Sequence, residues 1–336
     1  MNASRDKSFD SQQLPLFSGE ARSEKPKDAV GFKPEITVRS SLSVAIGVFE
    51  RYMEERGFTE NTRQAFRLDM QLLSEYLGAG TLLSKISTAN LNAFLSWMLG
   101  SRGVPCSPKT LERRITTLKV FFGWLTEEEV ISRDPAAPLT HRAVSAPLPE
   151  VLDNAQVEAV LSVTQAIRQG EAEQKPDPRP HLLVTLLLST GIKKGECVKI
   201  ALNHVDLTNP AHPALWVRYR KPSRQHKERR IALPAYWSTV LQEYLQAYQP
   251  RQYLFPWTAR NLEYVLTKVA RKAGIPRLTF EMLRWTCAVR DYLEGVRPEE
   301  LRQKMGLSGI SWYEVEPKLA LLAQRCAPRK PVSPEA

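Results

Sequence analysis

From Ser41 to about Leu139 the apolar residues recur at helical spacing, broken by glycines, prolines and capping residues. Val44, Phe49, Tyr52 and Met53 form a first stripe that Gly57 ends. Thr59 or Asn61 can cap a second helix, with Ala65, Phe66, Leu68, Leu72, Leu73 and Tyr76 at its apolar positions before Gly78. Thr88-Ala89-Asn90 opens a third helix carrying Leu91, Phe94, Leu95 and Met98. Ser107-Pro108 begins a fourth, with Leu111, Ile115, Leu118, Phe121, Phe122 and Leu125 on one side. This spacing predicts a small all-helical bundle over residues 40–139. Residues 1–39 are polar and without period, and read as a mobile tail. Their single apolar patch, Leu14-Pro15-Leu16-Phe17, is either a chance cluster in a solvated tail or a docking peptide.

Beyond a proline-marked linker at 140–150, the period changes. Leu182–Leu188 is apolar on all sides and reads as a buried helix, preceded by an exposed loop at Gly170–Pro180. Ala214–Lys221 and Glu228–Leu233 read as two strands flanking P-S-R-Q-H-K. A second, α+β domain over 151–325 follows, with 326–336 a short tail, so the chain is mainly α with a small β-sheet.

Charge narrows the class of partner. A net charge of +11 and a pI near 9.5 favour a polyanion, with nucleic acid first. No run of about 18 apolar residues predicts a membrane span, and the N-terminus lacks the apolar core of a signal peptide, which points to the cytoplasm. Cys106, Cys197, Cys287 and Cys326 lie far apart, without paired histidines, and predict free thiols rather than a metal site or a disulfide framework. There is no Walker loop, G-x-G-x-x-G, H-E-x-x-H or G-x-S-x-G, so neither a cofactor nor a metal is expected. His181, His204, His212 and His226 read as surface or turn residues, and His141 lies in the linker.

Basic residues gather on particular faces. The fourth helix presents Lys109, Arg113, Arg114 and Lys119, and the second Arg63 and Arg67. Taken alone, these are ordinary solvated helix faces. Arg218, Arg220, Lys221, Arg224, Lys227, Arg229 and Arg230 place seven cations within 13 residues of the hairpin, which favours phosphate contact over a merely solvated edge.

The order of these pieces resembles the tyrosine recombinase, or phage integrase, family. E-N-T-R-Q-A-F-R-L-D-M-Q-L-L, S-P-K-T-L-E-R-R-I-T-T-L-K-V-F-F-G-W-L and R-D-P-A look like its core-binding, SAM-like domain, which lays helices across the major groove. S-T-G-I-K-K-G-E-C-V-K-I-A-L-N-H-V-D-L resembles the family's T-G-L-R-x-S-E-L phrase, with Thr190, Gly191, Glu196 and Val205-Asp206-Leu207 matching. T-F-E-M-L-R-W-T and M-G-L-S-G-I-S-W-Y-E-V-E resemble the H-x-x-R-H-T and L-G-H phrases with their following tyrosine. The resemblance implies a duplex-DNA clamp and phosphotyrosine strand exchange, and a C-terminal segment, Pro317–Gln324, that docks on a neighbouring protomer. Pro317 limits where such a helix begins.

The departures concentrate on the chemistry. The first catalytic Arg falls on Lys193, the His on Glu281, the next His on Leu307 and the nucleophilic Tyr on Glu316, while Arg284 is kept and Lys221 fits the general acid. Lys offers a compact charge where Arg offers a fork. A carboxylate at Glu281 repels phosphate unless it pairs with Arg284, and the indole of Trp285 can stand in for a His donor. Glu316 gives no stable phosphoester. The nearest hydroxyl is on Tyr313, about 4.5 Å of rise and about 60° away on a helix, where Trp312-Tyr313 also suits aromatic packing. Three readings stay open. The first is a DNA-binding protein with cleavage lost or reduced, alone or as a silent subunit in a homo- or hetero-oligomer. The second is a rewired recombinase using Tyr313 with Lys193, Lys221 and Arg284. The third is a helical scaffold for another acidic partner.

Overall fold

Each of the four apolar stripes becomes a helix: α1 (Leu42–Glu55), α2 (Glu60–Leu77), α3 (Thr88–Leu99) and α4 (Pro108–Glu127). The computed structural model describes residues 35–104, 106–140, 147–170 and 175–326. Ser41, Thr59, Ser87 and Ser107 cap the four helices through their side-chain oxygens. They bury Phe49, Met53, Phe66, Met70, Leu73, Leu91, Phe94, Phe121 and Leu125 in one core. Two expected core residues, Val44 and Leu68, are exposed instead. On α2 the buried stripe is Phe66, Asp69, Met70 and Leu73, so a carboxylate takes an apolar position. Ile36, read as tail, is buried in this core, and Ser84 N–H donates to the Val38 carbonyl at 2.9 Å. Leu14–Phe17 and His141 lie outside the described residues.

The chain divides into two units, Met1–Ala146 and Pro147–Ala336. The second contains α5 (Asn154–Gln169), α6 (Arg179–Thr190), α7 (Lys194–Cys197), β1 (Val205–Asp206), β2 (Ala214–Val217), β3 (Arg229–Ala232), α8 (Trp237–Tyr248), α9 (Ala259–Lys272), α10 (Phe280–Leu293), α11 (Pro298–Lys304) and α12 (Gly309–Cys326). Helix α6 is the central rod, buried along Leu182–Leu188 as its sequence predicts and also at Pro180, expected in an exposed loop, with α5, α8 and α10 packed around it. It ends at Gly191, whose φ of +58° suits glycine. A Cβ there would meet Cys287 Sγ at 3.4 Å and the Arg284 carbonyl at 3.6 Å, which is how α10 passes so close.

Several local expectations change. The strands are shorter than predicted, the P-S-R-Q-H-K segment between them, Pro222–Lys227, forms a 3₁₀ helix, and β1 adds a third strand in an antiparallel sheet of order β1-β2-β3. His181 is a buried residue of α6, not a surface one. It shares a 2.9 Å hydrogen bond between Nδ1 and Thr164 Oγ1, and burial lowers its pKa to about 4. Helix α12 continues through Pro317. Its Leu319 and Leu322 are buried in one cluster with Trp285, Ala288, Val289, Leu301 and Met305 of the same chain. The segment expected to reach a neighbouring protomer is therefore folded onto its own α10. No helix among the described residues is long and apolar enough to cross a membrane.

Candidate functional site

Three cations converge on the end of α11. Arg229 Nε donates to the Lys304 carbonyl at 2.8 Å, Arg284 Nη2 to the Met305 carbonyl at 2.7 Å, and Lys193 Nζ to the Gly306 carbonyl at 3.0 Å. The end of a helix concentrates carbonyls and negative partial charge, so cations are the natural partners there. Gly306 has a φ of +59°, and a Cβ on it would lie 2.6 Å from Arg229 Nη1. Only glycine lets that guanidinium lie against the backbone.

Glu196 ties the arrangement together. Its buried carboxylate accepts from Arg229 Nη2 at 2.8 Å, Arg229 Nη1 at 3.2 Å, the Lys193 backbone N–H at 2.8 Å, and the Tyr219 hydroxyl. Burial alone would raise its pKa, but the bonds and charge of Arg229, with Tyr219 and the Lys193 amide, hold it below the ordinary range. Lys193 is pushed down to about 8, first by burial and then by Arg284, with Glu196 opposing and Lys227 and Arg229 adding to the depression. Among the hairpin cations, Lys227 and Arg229 thus lie close enough to act on Lys193. Lys221, expected as the general acid, is exposed where the 3₁₀ segment begins.

Arg284 is 5% exposed, and its second Nη donates to the Gly191 carbonyl. Burial, ahead of every neighbouring charge, lowers its pKa. The pairing with Glu281 that would relieve that carboxylate's repulsion of phosphate is not formed. Glu281, exposed on the first turn of α10, accepts from Trp285 Nε1 at 2.7 Å. The indole proposed as a substitute donor is thereby engaged. Leu307 is half-buried in the α10–α12 cluster, and Glu316 is half-buried on α12. Trp312 packs into that cluster, but Tyr313 does not, being 78% exposed. The expectation of aromatic packing thus holds for Trp312 alone.

The remaining predicted contacts divide by where their charge goes. Arg218 is exposed, 5.4 Å above the Trp216 ring, and Arg220 is exposed with Nη2 3.4 Å from the Tyr253 hydroxyl. Arg224 is exposed, and exposed Arg230 lies 3.7 Å from Asp206. Lys109 is exposed and Lys119 half-buried on α4. Arg229, by contrast, turns inward, and so do two arginines of α4. Buried Asp69 accepts from Arg113, from Arg114 Nε at 3.3 Å and from Thr117 Oγ1 at 2.8 Å. Its pKa is raised because burial outweighs Thr117, Arg113 and Arg114. Arg63 pairs with Glu54 at 2.7 Å and Glu60 at 2.5 Å, and Arg67 lies 4.0 Å from Glu50. Arg114 and Arg229 are thus internal ties rather than surface cations.

Asp69, Tyr219 and Gly306 were not singled out from sequence as site residues, and Glu196 only as a match. Two signals were available. Asp69 interrupts an apolar stripe, where a carboxylate needs a buried partner. Arg229 shares the inward face of β3 with Ile231 by the two-residue period. Among the described residues no group of three or more His, Cys, Asp or Glu is placed to hold a metal ion.

Two family models match the chain: Phage integrase family over residues 150–313, and Phage integrase, N-terminal SAM-like domain, over 46–129. Tyrosine recombinase XerC of Listeria monocytogenes serovar 1/2a is 25% identical over 284 residues, covering 80% of this chain and 90% of that protein. Tyrosine recombinase XerD of Listeria innocua serovar 6a is 23% identical over 276 residues, covering 78% and 89%. The crystal structure of XerH site-specific recombinase bound to palindromic difH substrate, a post-cleavage complex, has a TM-score of 0.69 at 16% identity, covering 86% of this chain and 96% of that one. A lambda integrase dimer bound to a COC′ core site has a TM-score of 0.64 at 15% identity, covering 88% and 81%. With both domain models matched in their order along it, the chain belongs to the phage integrase family, the tyrosine recombinases.

Proposed function

We propose that this chain binds duplex DNA and has lost, or strongly reduced, the strand cleavage of its family. The observation that carries the reading is the convergence on α11: Lys193 and Arg284, at the two catalytic Arg positions, donate to the Gly306, Met305 and Gly191 carbonyls. Each of these nitrogens keeps a further N–H, but swinging either side chain out to a phosphate would strip the carbonyls of partners, at about 1–3 kcal/mol for each one left buried and unpaired. Glu316 stands at the nucleophile position, and Glu281 brings a negative charge where the family brings a cationic or neutral donor. Trp285 is held by that carboxylate.

Binding has better support. Arg218, Arg220, Lys221, Arg224 and Arg230 are exposed around the hairpin, with Lys109 exposed on α4. Such cations neutralise backbone phosphates without reading sequence. DNA-bound relatives share the fold, so a regulatory or maintenance role, or a silent subunit beside an active recombinase, fits the chain. Electrophoretic shift on duplex DNA at rising salt tests the reading. Binding at low salt with a steep linear fall of log affinity against log salt is expected; absence of duplex binding at low salt overturns it.

A rewired recombinase remains the second reading, favoured by one observation: Tyr313 is freely exposed on α12 rather than packed. Its mark is a covalent adduct lost in Tyr313→Phe.

A further inference from the structure

A cleft of about 530 Å³ lies between the end of α5, the start of α6 and the outer side of α9. Helix α6 separates it from Lys193, since Arg179 begins that helix and Gly191 follows its end, about 18 Å along the axis. Its lining carries four cations, Lys175, Arg179, Lys268 and Lys272, against one carboxylate, Asp177. Two aromatic rings, Trp257 and Tyr264, share the lining.

Arg179 is the unusual member. Its guanidinium lies 4.9 Å from the Trp257 ring centre and 5.3 Å from that of Tyr248, two rings 5.1 Å apart and nearly perpendicular, which meet it from one side. Asp177 Oδ2 takes Nη2 at 3.1 Å and Oδ1 accepts the Arg179 backbone N–H at 3.0 Å and the Tyr248 hydroxyl at 2.8 Å. The Nε atom is buried with no hydrogen-bond partner among the described residues. A buried donor left unpaired is uncommon; this one is closed off from the surface, so a ligand in the cleft would meet Arg179 through its partly exposed Nη edge. Tyr264 is 53% exposed on α9, with Lys268 one turn further on. The volume falls in the range of small-molecule sites.

We propose that this cleft binds a nucleotide, with phosphates on Lys268, Lys175 and the edge of Arg179, and the base against Tyr264 and Trp257. The cations supply what an anion needs, and the exposed ring supplies a stacking surface that inorganic phosphate alone would not use. Sited at the far end of α6 from Lys193, the cleft would take a free nucleotide or the nucleotide unit of a DNA strand by the same chemistry, and the two sources are separable.

Calorimetric titration of the full chain with ATP, adenosine and tripolyphosphate tests this, with and without saturating duplex DNA. ATP should bind with a Kd below about 1 mM, at least tenfold tighter than adenosine or tripolyphosphate. Lys268→Glu should weaken ATP at least tenfold and Tyr264→Ala at least threefold; both side chains are exposed, so folding should survive, checked by circular dichroism. Duplex DNA should leave ATP affinity within twofold if the source is free nucleotide, whereas a short single strand that displaces ATP while duplex does not assigns the site to a strand end. No saturable ATP binding, unchanged affinity in both variants, tripolyphosphate equal to ATP, or displacement by duplex would each overturn the assignment. Failure here leaves duplex binding untouched, because the hairpin is not part of the cleft.

Discussion

The hairpin and the end of α11 are both rich in positive charge, yet they use it oppositely. Around the hairpin, Arg218, Arg220, Lys221, Arg224 and Arg230 stand in solvent with weak or no internal partners. At α11, Arg229, Arg284 and Lys193 are drawn in, and three successive carbonyls, Lys304, Met305 and Gly306, accept from them. The difference teaches that a cation's position in a family motif does not fix its task. In the proposed reading, burial and a waiting acceptor make the inward cations structural ties, while exposure leaves the hairpin cations free for a polyanion.

The comparison breaks most visibly at Arg284. Replacing it by Ala leaves the Gly191 and Met305 carbonyls buried and unpaired, so urea denaturation should show a loss of about 2–5 kcal/mol. Unchanged stability with weakened DNA binding would make Arg284 a phosphate ligand instead. Gly306→Ala comes next. The added methyl must displace the Arg229 guanidinium and hold a φ of +59°, which should cost about 1–3 kcal/mol in the same assay. An unaffected midpoint would show that Arg229 does not depend on that contact.

The hairpin should respond in affinity, not stability. Arg220→Glu with Arg224→Glu should lower duplex affinity by about 10–100-fold and flatten the salt slope by about 2, with the melting temperature unchanged. An unaltered slope would remove the hairpin from the interface. The smallest effect belongs to Lys193. Because its folded pKa is about 8, it loses its charge between pH 7 and 9, and as an internal tie it should leave duplex affinity within about twofold over that range. A three- to tenfold fall that Lys193→Arg abolishes would make Lys193 a phosphate ligand instead. Stability does respond: between pH 8 and 10.5 the unfolded chain holds more protons than the folded one, so this group's contribution favours folding more as pH rises.

Much of this was legible in the sequence, and the failures have physical causes. The helices of the first unit and buried α6 follow directly from apolar spacing and caps. Asp69 defeats the reading of α4, because a partner 44 residues away in α2 captures Arg113, and a helix face alone cannot reveal it. The same holds for Arg229, although the two-residue period of β3 pointed inward. Pro317 was read as a limit to a helix, but α12 passes through it because Trp312 before it and Leu319 after it are buried in one cluster. His181 looked like a loop residue only because the preceding Pro/Asp/Arg cluster hid the start of α6.

The central claim, binding without cleavage, is tested most directly with a nicked suicide duplex that would trap a covalent intermediate, sampled across a library of candidate sites. The account predicts shifted complexes at low salt that denaturant fully dissociates, for the wild type and Tyr313→Phe alike. A denaturant-resistant protein–DNA adduct in the wild type, missing in Tyr313→Phe, would contradict it and install Tyr313 as a nucleophile.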